Sequence, residues 1–110
     1  MKASDYCLVY VTVGSEAQAQ QLAQALLSEK LVACVNRIGP IQSMYLWQGE
    51  IQADSEFLLM IKTRQDLFDA LSQRVRELHS YELPEIIAVP LSQGLPAYLQ
   101  WIQNSTQELN

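Results

Sequence analysis

The apolar residues of this chain repeat with two different periods, and the switches between them mark its elements. Tyr6 to Val13 reads Tyr-Cys-Leu-Val-Tyr-Val-Thr-Val, β-branched and aromatic and apolar on both faces. That pattern predicts a central strand, and Gly14 ends it. From Ser15 the period becomes helical. Ser15 with Gln18 three positions later has the capping-box pattern. Ala19, Leu22, Ala23, Leu26 and Leu27 then fall on one stripe, with Gln and Glu opposite. This helix is expected to end between Ser28 and Lys30. Val32 to Thr63 predicts one long hairpin turning at Gln48-Gly49, because glycine accepts the positive φ that hairpin turns demand. The register sets Trp47 opposite Glu50, Tyr45 opposite Gln52 and Met44 opposite Ala53. Gly39-Pro40 interrupts the first arm. Proline has no N–H for the ladder, so a bulge or an edge position is expected there.

Thr63 is expected to cap a second helix from Arg64 to about His79, with Leu67, Ala70, Leu71, Val75 and Leu78 as its stripe. His79 to Glu85 reads as a loop in which Pro84 holds Leu83 extended. Glu85 to Leu91 predicts a fourth strand, ending near Pro90. After a turn at Gln93-Gly94, Pro96 opens a short helix carrying Tyr98, Leu99, Trp101 and Ile102. The polar tail from Asn104 is expected to fray. The order βαββαβ plus a terminal helix is an α+β, ferredoxin-like arrangement with an extended hairpin between its second and third strands. Its strands lie in the order 4-1-3-2, and right-handed crossovers put both main helices on one face.

The other face is left apolar. In the second hairpin arm Phe57, Leu59 and Ile61 point one way while Leu58 and Met60 point the other. Burying one such side chain is worth about 1.5–3 kcal/mol. Arms longer than the usual ~5–6 residues must also project beyond the body of a small domain. A closed oligomer of identical chains is the expected cover.

Composition narrows the partners. Residues 1–110 fit a single domain, and 49% hydrophobic with 17% charged residues suits a globular chain that buries an oligomer face. The formal charge is -5, with scattered Lys and Arg. Nucleic acid and anionic membrane are therefore not expected partners. Cys7 and Cys34 are too few for a disulfide scaffold. The start lacks a signal-peptide core, and no apolar run approaches the ~20 residues of a membrane span. A soluble, cytoplasmic protein is the expectation.

Candidate metal donors are Cys34, Cys7, His79, Glu82 and Glu85, with no CxxC, HxxxH or HExxH spacing among them. In the expected strand order Cys7 and Cys34 stand a whole strand apart, roughly 10 Å. They should share neither a metal nor a disulfide within one chain, and free cysteine is commonly buried. His79, the only histidine, has two readings. It is a helix-end residue favoured by the dipole, or a ligand with Glu82 and Cys34. An imidazole with carboxylates would favour Cu(II) over other divalent cations. A second candidate is a small-molecule cleft between subunits, formed by Tyr45, Trp47, Lys62, Tyr81 and Glu85. Against it, Trp47 and Tyr45 also suit interface anchors. No nucleophile–base pair or glycine-rich phosphate loop is present, and Gly14-Ser15 is accounted for by the helix cap. Neither an enzyme nor an organic cofactor is expected.

Five segments together resemble the CutA family: Leu22 to Asn36, Ser43 to Ile51, Ile61-Lys62-Thr63, His79 to Ile87, and Gly94 to Trp101. They run collinearly over nearly the whole chain. The resemblance implies a ferredoxin-like subunit, a homotrimer similar to PII signalling proteins, and a role in tolerance of copper and other divalent cations. A PII-like signalling module that binds a small molecule between subunits is the alternative it leaves open. Two departures matter. Ser80 stands where many members carry proline, so a more mobile loop is expected. Val11 stands where some members carry a cysteine proposed as a copper ligand.

Overall fold

The computed structural model describes residues 2–108. A four-stranded antiparallel sheet has the order β2-β3-β1-β4, formed by Cys34–Trp47, Glu50–Arg64, Tyr6–Val13 and Ile86–Pro90. Helices α1 (Glu16–Ser28), α2 (Phe68–Leu78) and α3 (Pro96–Ser105) complete the ferredoxin-like subunit. Val9, Val11 and Val13 of β1 and Leu59 and Ile61 of β3 face α1 and α2. They pack there on Ala19, Leu22, Leu26, Leu67, Leu71 and Val75.

The hairpin turns at Gln48-Gly49, both at positive φ, which is the two-residue turn whose twist suits a hairpin. Trp47 pairs with Glu50, Tyr45 with Gln52 and Met44 with Ala53. The register shifts between Ile38 and Ile41, at the cis Gly39-Pro40 step. Since β1 stops at Val13 opposite Phe57, residues 41–56 pair only with each other. They project along the 44 Å axis of a body otherwise 26 × 22 Å.

Residues directly opposite each other across strands share a face. Leu8 and Tyr10 therefore share the helix-free face with Met60, Leu58, Ile38, Ile87 and Val89. α3 covers only one end of it, where Leu99 and Ile102 pack on Tyr6. At the hairpin tip Leu46 is 73% and Ile51 72% exposed.

Three local expectations are corrected. Thr63 is no helix cap: it belongs to β3, points to the helix side, and its buried hydroxyl donates to the Leu31 carbonyl at 2.7 Å. A short 3-10 turn, Gln65–Leu67, enters α2 instead. Ala70, assigned to the buried stripe, is exposed. The tail does not fray through residue 107. Arg64 donates to the Gln107 carbonyl at 2.7 Å and to Thr106 Oγ1 at 3.3 Å, and the Gln107 N–H donates to the Lys30 carbonyl.

The two cysteines are free and lie on strands separated by β3. Burial pushes the Cys7 thiol up to about 11. Thiolate is the reactive form, so iodoacetamide at pH 8 is expected to label Cys34 and spare Cys7. Peptide mapping checks this, and equal labelling of Cys7 would contradict its burial.

Candidate functional site

The loop after α2 lies over the end of β1, and two side chains hold it there. Ser15 caps α1 by accepting the Gln18 N–H at 3.1 Å. The Gln18 side chain does not close the capping box. It crosses to the loop, accepting the Ser80 N–H at 3.0 Å and donating to the Leu78 carbonyl at 3.4 Å. A proline at position 80 would have no such N–H. Ser80 therefore gains a tether here that proline could not make.

His79 is the second anchor. It is only 8% exposed. Its Nε2 lies 2.7 Å from the Thr12 carbonyl, and its Nδ1 accepts the Tyr81 N–H at 3.0 Å. A carbonyl can only accept, so the proton sits on Nε2. Both ring nitrogens are thus engaged, and neither offers a lone pair to an ion without breaking a contact. The ring of Tyr81 rests 4.7 Å from that of His79.

Tyr81 closes the chain of contacts by donating its hydroxyl to Glu56 Oε2 at 2.9 Å. Gly14 makes room for it, since a Cβ there would meet the Tyr81 hydroxyl at 3.0 Å. Burial, and then the bond to Glu56, push the Tyr81 phenol up to about 12. A phenol is neutral when protonated, so the fold favours the protonated form. The stability this provides is complete below pH 10 and is lost as pH rises through about 12. Alkaline titration followed at 295 nm is expected to show a late phenolate phase that shrinks by one tyrosine in Tyr81→Phe. An unchanged late phase in that variant would contradict the Tyr81–Glu56 contact.

The loop and the projecting part of the hairpin line a groove of about 890 Å³. Tyr45, Trp47, Tyr81 and Glu85 line it together, so four of the five residues expected in a cleft meet within one chain. Glu82, Leu83, Asp54, Glu56, Thr12 and Gly14 join them. Lys62 does not. It bonds to Asn36 on the sheet, across from Cys34. Tyr45 donates to Asp54, which holds its phenol above the ordinary value. Asp54 and Glu56 were not singled out in the sequence. The available signal for Glu56 was its position: a charge at the period-2 place shared with Leu58 and Met60.

The expected metal set, His79, Glu82 and Cys34, does not converge. Cys34 stands at the level of Lys62 and Leu8, whereas His79 sits on Thr12, four residues or about 13 Å further along β1. Among the described residues no three His, Cys, Asp or Glu side chains are placed to share an ion. The donor set therefore does not fit a copper centre within one subunit.

A split βαβ sandwich with a projecting hairpin and an acidic, aromatic groove along it defines a class of small ferredoxin-like proteins. Comparison with known proteins narrows it. The family model described as CutA1 divalent ion tolerance protein matches residues 7–105, and the chain belongs to that family. A chloroplastic rice CutA 1 is 48% identical over 101 residues, covering 92% of this chain and 57% of the relative. The divalent-cation tolerance protein CutA of Thermus thermophilus is 44% identical over 99 residues, covering 90% and 96%. Among solved structures, rice CutA1 superposes with a TM-score of 0.92 at 47% identity, covering 94% and 95% of the two chains. The chain thus spans little more than half the length of the rice and Arabidopsis relatives.

The cytoplasmic expectation is overturned. The rice and Arabidopsis relatives are named chloroplastic, and a solved Archaeoglobus fulgidus relative is described as periplasmic. Neither reduced cysteines nor an apolar core encodes a compartment. No helix among the described residues is long and apolar enough to cross a membrane.

Proposed function

We propose that the chain works as a homotrimer, without enzymatic chemistry, in divalent-cation tolerance. The observation that carries self-association is a pair of exposed apolar surfaces, the helix-free sheet face and the opposite face of the projecting hairpin. Ile87 and Val89 are exposed on the first, Leu46 and Ile51 on the second, and exposed apolar clusters of this kind mark interaction sites. The count of three follows from the resemblance to PII-like trimers. Cu(II) or another divalent cation has no ready seat within one subunit, so tight copper binding by His79 is no part of this reading. Light scattering is expected to give three times the 12.5 kDa chain mass. Ile87→Lys with Leu46→Lys should lower that mass. A folded wild-type monomer at micromolar concentration would overturn the reading.

A second reading is favoured by the groove itself. Four residues from two distant segments meet there with aromatic walls and convergent polar groups, as in small-molecule sites. The trimer would then carry one ligand site per chain and act as a binding module. Trp47→Ala should abolish any ligand-induced thermal shift while leaving the subunit count unchanged.

A further inference from the structure

We propose that the groove binds a small organic cation, an amine or guanidinium compound, with its charge against Glu56. This rests on the reading of the groove as a ligand site. Within one chain, every charged residue lining it is acidic: Asp54, Glu56, Glu82 and Glu85. Glu56 is the unusual one. It is only 7% exposed, yet no basic side chain among the described residues forms an ion pair with it. Its one hydrogen bond is the Tyr81 hydroxyl on Oε2. Among the described residues no fully occluded side-chain oxygen lacks a partner, so the free Oε1 of Glu56 is open to the groove that this residue lines. A buried carboxylate without a cation is costly, and a phenol offsets only part of that cost.

Four of the chain's seven lysines and arginines are engaged elsewhere. Arg37 pairs with Glu16, Arg64 with Asp66, Arg74 with Glu29, and Lys62 bonds to Asn36. Arg76 lines a neighbouring groove that shares Tyr81 and Glu82, and it is in ion-pair contact with none of the four carboxylates. The walls supply what an organic cation uses. Tyr45, Trp47 and Tyr81 present aromatic surface, which attracts ammonium and guanidinium groups. A bare metal ion fits less well, since it needs several oxygens around one point and no three donors converge. An organic cation spreads its donors across separated carboxylates. The volume of about 890 Å³ falls in the range of roughly 300–1,000 Å³ usual for small-ligand sites.

The test is titration calorimetry of the purified full chain at low ionic strength. Putrescine and agmatine serve as cationic probes, succinate as an anionic one and glycerol as a neutral one. Saturable binding of putrescine or agmatine is expected, one per chain, and weakened by salt. Glu56→Gln keeps an acceptor for Tyr81 but removes the charge, and should weaken binding about tenfold. Should that variant fail to fold, Glu82→Gln with Glu85→Gln, both exposed, is expected to weaken binding in the same direction. Cation binding indifferent to these substitutions overturns the proposal. Binding of succinate or glycerol alone, lost in Trp47→Ala, overturns it while leaving the groove a ligand site. No binding of any probe, with a changed subunit count in Glu56→Gln, means a second copy fills the groove, and both readings fall.

Discussion

His79→Ala is expected to lower the stability of the folded chain by about 3 kcal/mol, equally with and without EDTA. The ring is buried, donates from Nε2 to the Thr12 carbonyl and accepts the Tyr81 N–H on Nδ1. Removing it leaves both backbone groups short of a partner, about 1–3 kcal/mol each at the upper limit, and opens a cavity beneath the loop. His79→Gln keeps an N–H donor and should recover part of the loss. Urea denaturation at one protein concentration measures this, since association adds to apparent stability. A metal ligand would behave differently, because its loss would matter only when metal is present. A variant as stable as wild type in EDTA would remove His79 from its anchoring role.

Arg64→Ala is the second large effect, expected to cost about 2 kcal/mol and to free the tail. The guanidinium is buried between β3 and the end of the chain. Its fork engages both carboxylate oxygens of Asp66, at 2.9 and 3.0 Å, while Nη1 reaches Gln107 and Thr106. Asp66 is largely exposed, so water screens the ion pair. Most of the cost lies in the lost bonds to the tail. Arg64→Lys should not restore them, because an ammonium lacks the planar fork. Hydrogen exchange at residues 103–107 is expected to speed up in Arg64→Ala. Unchanged protection there would show that the tail is held by Gln107 and Lys30 alone.

The local parts of this fold were legible because their causes are local. Gln48-Gly49 announces a two-residue turn, and the turn fixes the pairs around Trp47 and Tyr45. Gly39-Pro40 announces a break in the ladder, and the register shifts there. The helix-free apolar face follows from period 2 in Leu58 and Met60. Thr63 misled because a Thr before a polar turn looks like a cap whether or not its hydroxyl is already bonded to Leu31. His79 misled for a related reason. A lone histidine at a helix end shows nothing of a carbonyl on Thr12, far away in sequence, that takes its proton. The groove was half legible. Aromatic and acidic residues at the hairpin and the loop suggested a cleft, but Lys62 lies elsewhere and Glu56 supplies the buried charge. Which residues meet along the hairpin depends on the path of the loop, and Gln18, Gly14 and His79 set that path through tertiary contacts.

Native mass spectrometry of the purified chain, bare, with equimolar Cu(II) and with excess agmatine, measures subunit count and bound mass together. The expected spectrum is a three-chain species without one copper per subunit, gaining up to three agmatine masses. A folded single chain would contradict the trimer, and a trimer holding three coppers that His79→Ala releases would contradict the assignment of His79 as an anchor.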